Sequence, residues 1–446
     1  MVLLTFIALL IVANSLPHTE VAVWALCAVG SLALMWGRRV PMSLPRAMML
    51  LLAFPFLLFL LALRGIYIHP LADFGKDCWY FTLPLVYLSF GYLAFERVGS
   101  WQRLMQPLIV AGLGVGTYAL VHAALNRGQL AEAASVDAYR AITGGGTFGP
   151  MVPMVVILMA RRARLPEFGL ERYKLLRVAV YAISTGAVLI TFSRTHMVTL
   201  AAGVICALHY KSVLRRVLFN GGIPLVVALA VLGGGIYGLA HAKSGPIGMF
   251  ITKVLHSGSE VEVRAFETND QIIQNWRGFE AYRAERTFGT YSLPDKIVGG
   301  GAGAMVDLGF AMQLSPTEAF QYVPITHNGY VYILIKDGIL GITLFALFML
   351  QLLWTAKRSL RLGDPEARLA GLVLIWTPIV MIATQGVITG IYNKGEMMPV
   401  LFLTGAAVAS YTRRRQAIAD AWRVLPWQEI GVRRLGLRPA VAVPGS

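Results

Sequence analysis

Apolar positions along this chain neither alternate nor form a one-sided helical stripe; they run together in long blocks divided by short polar breaks. A helix needs about 20 mostly apolar residues to cross a bilayer. Blocks at 2–16, 20–37, 46–63, 79–95, 104–125, 147–160, 174–193, 196–210, 217–240, 328–355, 368–389 and 397–412 predict twelve such helices. The expected fold is therefore an all-α polytopic membrane protein with one large loop outside the membrane. Its parts are transmembrane helices 1 to 9 over 1–240, the loop over 241–326, transmembrane helices 10 to 12 over 327–412 and a basic tail over 413–446. No Lys or Arg precedes the first apolar block and no clear small-residue cleavage site follows it, so that block reads as an anchor and not a cleaved signal.

The long loop has its own pattern. In TNDQIIQNWRGFEAYRAER, residues 268–286, Ile272, Trp276 and Phe279 fall on one helical face, and Thr268 to Asp270 supply capping residues and first-turn acid. Glu280 stands three residues from both Arg277 and Arg283, the spacing of surface ion pairs. The glycines of 299–304, GGGAGA, end regular structure. An apolar-faced helix outside the membrane predicts a lid packed on the bundle or lying at its interface.

Composition supports the class. The 446 residues are 57% hydrophobic and 14% charged, against roughly a quarter charged in a soluble domain. The three cysteines all lie in or beside apolar runs and imply no disulfide framework. The net charge of +16 follows topology. When the loops are alternated, 25 of the 39 lysines and arginines gather on one side, which short-loop bias assigns to the cytoplasm together with both termini. The charge is thus explained by orientation and anionic lipid, without nucleic acid.

Four clusters on the opposite, outer face carry candidate chemistry. Ser193-Arg194-Thr195-His196 makes a tight turn between two spans; Arg194 there is either an interfacial anchor or a bidentate anion clamp. Arg277, Arg283 and Arg286 line the loop helix, as a salt-bridged face or as further anion ligands. Thr326-His327-Asn328-Gly329 opens the tenth span; His327 is suited to take a proton from an attacking hydroxyl, while Thr326 or Asn328 is suited to cap the helix. Asp73 and Asp77, four apart around Lys76, are too few for a convincing metal site, and Lys76 offers a further phosphate contact. No phosphate-loop motif occurs. No span shows the chain of internal acids and histidines of a proton-coupled pump; Lys336 and Asp337 come nearest.

The run THNGYVYILIKDGILGITLF from Thr326 resembles the hallmark of the O-antigen ligase/polymerase superfamily, as ITFSRTHMVTLAAGV around Arg194 resembles that family's Ser-Arg turn. NWRGFEAYRA around Arg277, followed by KIVGGGAGA, is similar to its outer-loop helix and glycine-rich stretch. The matches keep the family's order and cover about residues 180–350. The resemblance implies a glycosyl transferase of a bacterial inner membrane, working at the periplasmic face without metal or cofactor. Its donor would be a glycan on undecaprenyl pyrophosphate. Arg194 and Arg277 would hold the pyrophosphate, with Arg283 and Lys76 as additional contacts, and His327 would be the base.

Such an enzyme acts as a polymerase of exopolysaccharide or O-antigen repeat units, the favoured reading, or as an O-antigen ligase passing the glycan to lipid A core. A flippase or other transporter of lipid-linked oligosaccharide is the rival from another class; the lack of a repeat and of midspan charge weighs against it. The charge pattern makes a topological prediction. A reporter fused after Lys253 should be active outside the cell membrane and one fused after Arg415 inside it; a cytoplasmic signal at Lys253 would refute the functional reading.

Overall fold

The computed structural model describes residues 2–13, 19–36, 46–132, 142, 149–166, 174–191, 193–219, 262–266, 268–313, 319–386, 389–392 and 397–424. The described chain is mostly helical. In chain order the main helices are α1 (Val2–Ala13), α2 (Glu20–Trp36), α3 (Arg46–Ala62), α4 (Leu71–Val98), α5 (Trp101–Leu125), α6 (Met151–Ala163), α7 (Lys174–Ile190) and α8 (Arg194–Phe219). There follow α9 (Asn269–Gln274), α10 (Trp276–Gly289), α11 (Leu293–Val298), the strands β1 (Val306–Gln313) and β2 (Ala319–Val323), α12 (Gly329–Arg361), α13 (Pro365–Gln385) and α14 (Met398–Val424).

Among the described residues five segments are long and apolar enough to cross a membrane: α3 with the 3₁₀ turn that extends it to Tyr67, then α4, α5, α12 and α13. Val2–Ala13, Glu20–Trp36, Leu175–Ile190 and Arg194–Leu208 are apolar but shorter. Most of the block expected at 217–240 lies outside the described residues. Several boundaries differ from expectation, three of them at candidate or basic residues. Helix α4 starts at Leu71, so Asp73, Lys76 and Asp77 sit in its opening turns and not in a loop. Helix α12 runs to Arg361. Arg413, Arg414 and Arg415, expected in the tail, belong to α14, which continues to Val424.

Helix α13 forms the centre, packed by α12, α14, α8 and α6, with Trp376 fully enclosed. Helices α4 and α14 approach most closely where Gly91 faces the Phe402 carbonyl and Gly405 faces the Leu88 carbonyl; a Cβ at either glycine would collide with backbone. Small residues allow such backbone contact between helices that lipid alone would not drive together.

Residues 268–313 and 319–323 form a small cap subdomain with its own core of Ile272, Phe279, Ala284, Val306, Leu308 and Val323, which Ile335 of α12 joins. The expected single helix over 268–286 is two. Thr268 caps the first, and Asn275 interrupts the run, its side-chain amide donating to the Gln271 carbonyl. The antiparallel pair β1–β2 was not expected; its register shifts between Asp307 and Met312, around Gly309.

The cap is pinned to the bundle where α12 breaks. Gly338, at φ 66° and ψ −161°, interrupts the helix and frees the carbonyls that residues 339 and 340 would have used. Glycine-rich backbone replaces them: Gly300 N–H donates to Ile335 at 2.9 Å and Gly301 N–H to Lys336 at 2.8 Å. Beside them Asp77 accepts from Gly303 N–H at 2.6 Å, Tyr332 Oη at 2.8 Å and Lys336 Nζ at 2.5 Å, and Lys336 also donates to the Ala304 carbonyl. Asp77 and Lys336 are fully buried, so the spans do contain buried charge, contrary to the sequence reading. Removing one member of such a pair strands the other and costs about 3–5 kcal/mol, whereas replacing both by apolar residues is often neutral. Lys336→Ala should therefore lose far more thermal stability in detergent than Asp77→Leu combined with Lys336→Met; equal losses would show that the pair holds nothing together.

Candidate functional site

The candidate site lies where the cap meets the start of α12. Asn328 is the N-cap, its side-chain oxygen accepting from Tyr330 N–H at 3.0 Å and Val331 N–H at 3.3 Å. His327 comes just before it and is held from two sides. Its carbonyl accepts from Thr389 N–H at 3.0 Å, and Thr389 Oγ1 donates to the Thr326 carbonyl at 2.7 Å. Thr389 sits at φ 64°, a conformation costly for a β-branched residue, and these two bonds hold it there.

On the cap side, Glu280 Oε2 accepts from His327 N–H at 2.7 Å and lies 3.2 Å from Nδ1. The Glu280 side chain is 2% exposed and that of His327 54% exposed. With its proton on Nδ1 the imidazole donates to Glu280, and Nε2 then carries the lone pair. A backbone and a ring contact to one carboxylate fix both the position and the orientation of the ring.

Glu280 does not pair with Arg277 and Arg283 along the surface. At about 100° per residue it falls on the buried side with Trp276 and Phe279, so the packing face claims it. Arg283 is also spent elsewhere: its Nε donates to the Asp307 carbonyl at 3.0 Å and its guanidinium packs against Gly309, fastening α10 to β1. That contact gives Arg283 a structural role beside the one expected of it. Lys76 is exposed on α4, and no contact among the described residues joins it to His327. Asp77, four residues from Asp73, is satisfied by the contacts of the α12 break, so the two carboxylates do not form a metal pair.

Arg277 lies one turn before Glu280 on α10, which places the two Cβ atoms about 5–6 Å apart. Arg194 is the first residue of α8, which starts two residues before the span expected from 196. That helix packs on α13, where Trp376 Nε1 donates to the Thr199 carbonyl at 3.1 Å. His196, the competing imidazole, is buried at 3% exposure.

A second tether holds the cap to the bundle. Arg64, at the end of α3, donates to the Gly299 carbonyl at 2.7 Å and to Asp295 at 2.6 Å. The Ser292 hydroxyl, with Arg64, holds the Asp295 carboxyl below the usual range. Burial pushes the neighbouring Tyr291 phenol up to about 12, and its hydroxyl faces the Ile335 carbonyl at 3.4 Å. Glu280, Thr389, Arg64 and Lys336 were absent from the sequence-based site. Only Glu280 carried a readable signal, its place on the apolar side of its helix.

No protein-family model and no curated protein matches this chain.

The geometry predicts unequal reactivity of the two imidazoles. Diethyl pyrocarbonate acting on the folded protein should modify His327 well before His196, as read by peptide mass spectrometry. Equal rates, or faster modification of His196, would contradict an outward-facing Nε2 at His327.

Proposed function

We propose that this chain is a glycosyl transferase of the O-antigen ligase/polymerase kind, spanning the bacterial inner membrane about twelve times and working at its periplasmic face. The supporting observation is the Glu280–His327 pair, an exposed imidazole oriented by a buried carboxylate, with Arg277 one turn away. The donor is a glycan on undecaprenyl pyrophosphate and the acceptor a hydroxyl of another lipid-linked repeat unit. Transfer to a lipid A core sugar is the ligase variant of the same reaction.

In this reading the acceptor oxygen attacks the anomeric carbon, the bond from that carbon to the pyrophosphate oxygen breaks, and the acceptor proton passes to His327 Nε2. Glu280 positions the ring and stabilises the imidazolium as it forms. Charge develops on the leaving pyrophosphate, where Arg277 and Arg194 are suited to meet it with bidentate guanidinium contacts. A good leaving group leaves modest work for the base. The buried charges and the break in α12 would also occur in a transporter. Here, however, the cap glycines and Asp77 lock the break, which favours a fixed site over rocking halves.

Membranes bearing equal amounts of each variant and supplied with lipid-linked donor test the proposal. General-base help is typically worth about 10²–10⁴ in rate. His327→Ala should therefore transfer glycan at least roughly a hundredfold more slowly while still binding donor. Glu280→Gln should lose less. Arg277→Lys and Arg194→Lys should each lose roughly tenfold, since a charge-assisted bond is worth about 1.5–3 kcal/mol. Activity should survive chelation. Normal turnover by His327→Ala would sink the mechanism, and loss on chelation restored by Mg²⁺ or Mn²⁺ would move the chain to another class of transferase.

A further inference from the structure

At the opposite end of α12 from His327, roughly 40 Å along the helix, the bundle leaves a groove between α3, α12 and α14. Its cavity measures about 1070 Å³. Drug-sized ligands occupy roughly 300–1,000 Å³, so this space suits a larger molecule. The walls are apolar and include Leu50, Phe54, Leu347, Leu350 and Trp354. Leu50, Leu347, Leu350 and Trp354 are between 42% and 55% exposed, leaving a continuous apolar face without a protein partner among the described residues.

One end of the groove is basic. Arg46 opens α3, Lys357 and Arg358 close α12, and Arg415 lies on α14; all four line the cavity. Among the described residues no carboxylate forms an ion pair with Arg46, Lys357 or Arg415. The adjacent Arg414, by contrast, is bound by Asp364 and Glu366. Arg358 stacks on Trp354, its guanidinium 3.4 Å from the ring centre, which holds that charge at the groove mouth. Basic residues at the ends of single spans commonly snorkel to the interface. In this protein, four from three helices distant in sequence converge on one apolar slot.

We propose that this groove is a binding site for one anionic membrane glycerophospholipid. Its phosphate sits among Arg46, Lys357 and Arg415, and its acyl chains lie along Leu50, Leu347 and Leu350. The charge bias of the loops puts this end at the cytoplasmic leaflet, where anionic headgroups attract clustered Lys and Arg. The bound lipid would tie together the ends of three helices. The inference does not depend on the glycan chemistry at the other end.

Native mass spectrometry of the full chain in detergent, titrated with phosphatidylglycerol or with phosphatidylcholine of the same acyl chains, tests it. One phosphatidylglycerol should bind per chain, well ahead of phosphatidylcholine. The triple variant Arg46→Gln, Lys357→Gln, Arg415→Gln should bind it roughly a hundredfold more weakly. A control losing the same charge at the same end but off the groove, Arg97→Gln, Arg103→Gln, Arg361→Gln, should bind it normally. Leu350→Trp, which fills the slot and keeps every charge, should also displace the lipid, and this arm stands if the triple variant does not fold. Equal binding of the two lipids, an equal loss in the control, or undiminished binding by Leu350→Trp would overturn the proposal. So would preferential retention of a polyprenyl phosphate, or a lipid-free dimer showing that a second copy fills the groove.

Discussion

The buried contact between Asp77 and Lys336 governs how the rest of the molecule is arranged. Two opposite charges taken out of water are stable only when their remaining hydrogen-bonding capacity is filled. Here the filling groups come from two separate parts of the chain: Tyr332 on α12 and the backbone of Gly303 and Ala304 in the cap. The pair therefore cannot form unless α4, α12 and the glycine-rich turn are all in place. The break at Gly338 depends on the same turn. Without the amides of Gly300 and Gly301, the Ile335 and Lys336 carbonyls would lose their backbone partners within an apolar bundle, where each missing bond is costly. Gly338 and Gly299 must both lack a side chain: a Cβ on Gly338 would meet the backbone of Ile297 and Gly299, and one on Gly299 the backbone of Lys336 and Asp337.

This arrangement explains how two distant segments supply one site. Glu280 belongs to the cap and His327 to the approach to α12, and they meet because the cap cannot slide relative to that helix. The hairpin adds stiffness from behind: Arg283 holds β1 against α10, and α10 holds Glu280 against His327. The strained Thr389 fixes the other side of the same backbone. The imidazole is thus oriented without being buried.

Much of this was legible from residue order alone, and what was missed has physical causes. Long apolar runs identify α3, α4, α5, α12 and α13 because crossing a bilayer requires length, and length is visible in a single sequence. The apolar face at Ile272 and Phe279, the cap at Thr268 and the prominence of His327 follow from local rules of helix periodicity and capping. The partner of Asp77 is 259 residues away, and no local pattern signals such a pairing. Arg283 and Glu280 looked like a surface pair because spacing states who can meet along a helix and not which side the tertiary fold will cover. The hairpin was hidden by its irregular register, which spoils the alternation a strand normally displays.

The discontinuity at Gly338 has a mechanical consequence. A continuous helix transmits tilt along its whole length, and spans tilt to match the thickness of the surrounding lipid. At Gly338 the ladder of hydrogen bonds stops, and the segment from Gly329 to Asp337 is bonded instead to the cap. The longer part of α12 packs on α13 and α3, while the short part is bonded to the cap that carries Glu280. Tilt of the long part is therefore not passed through an unbroken ladder to the backbone beside His327.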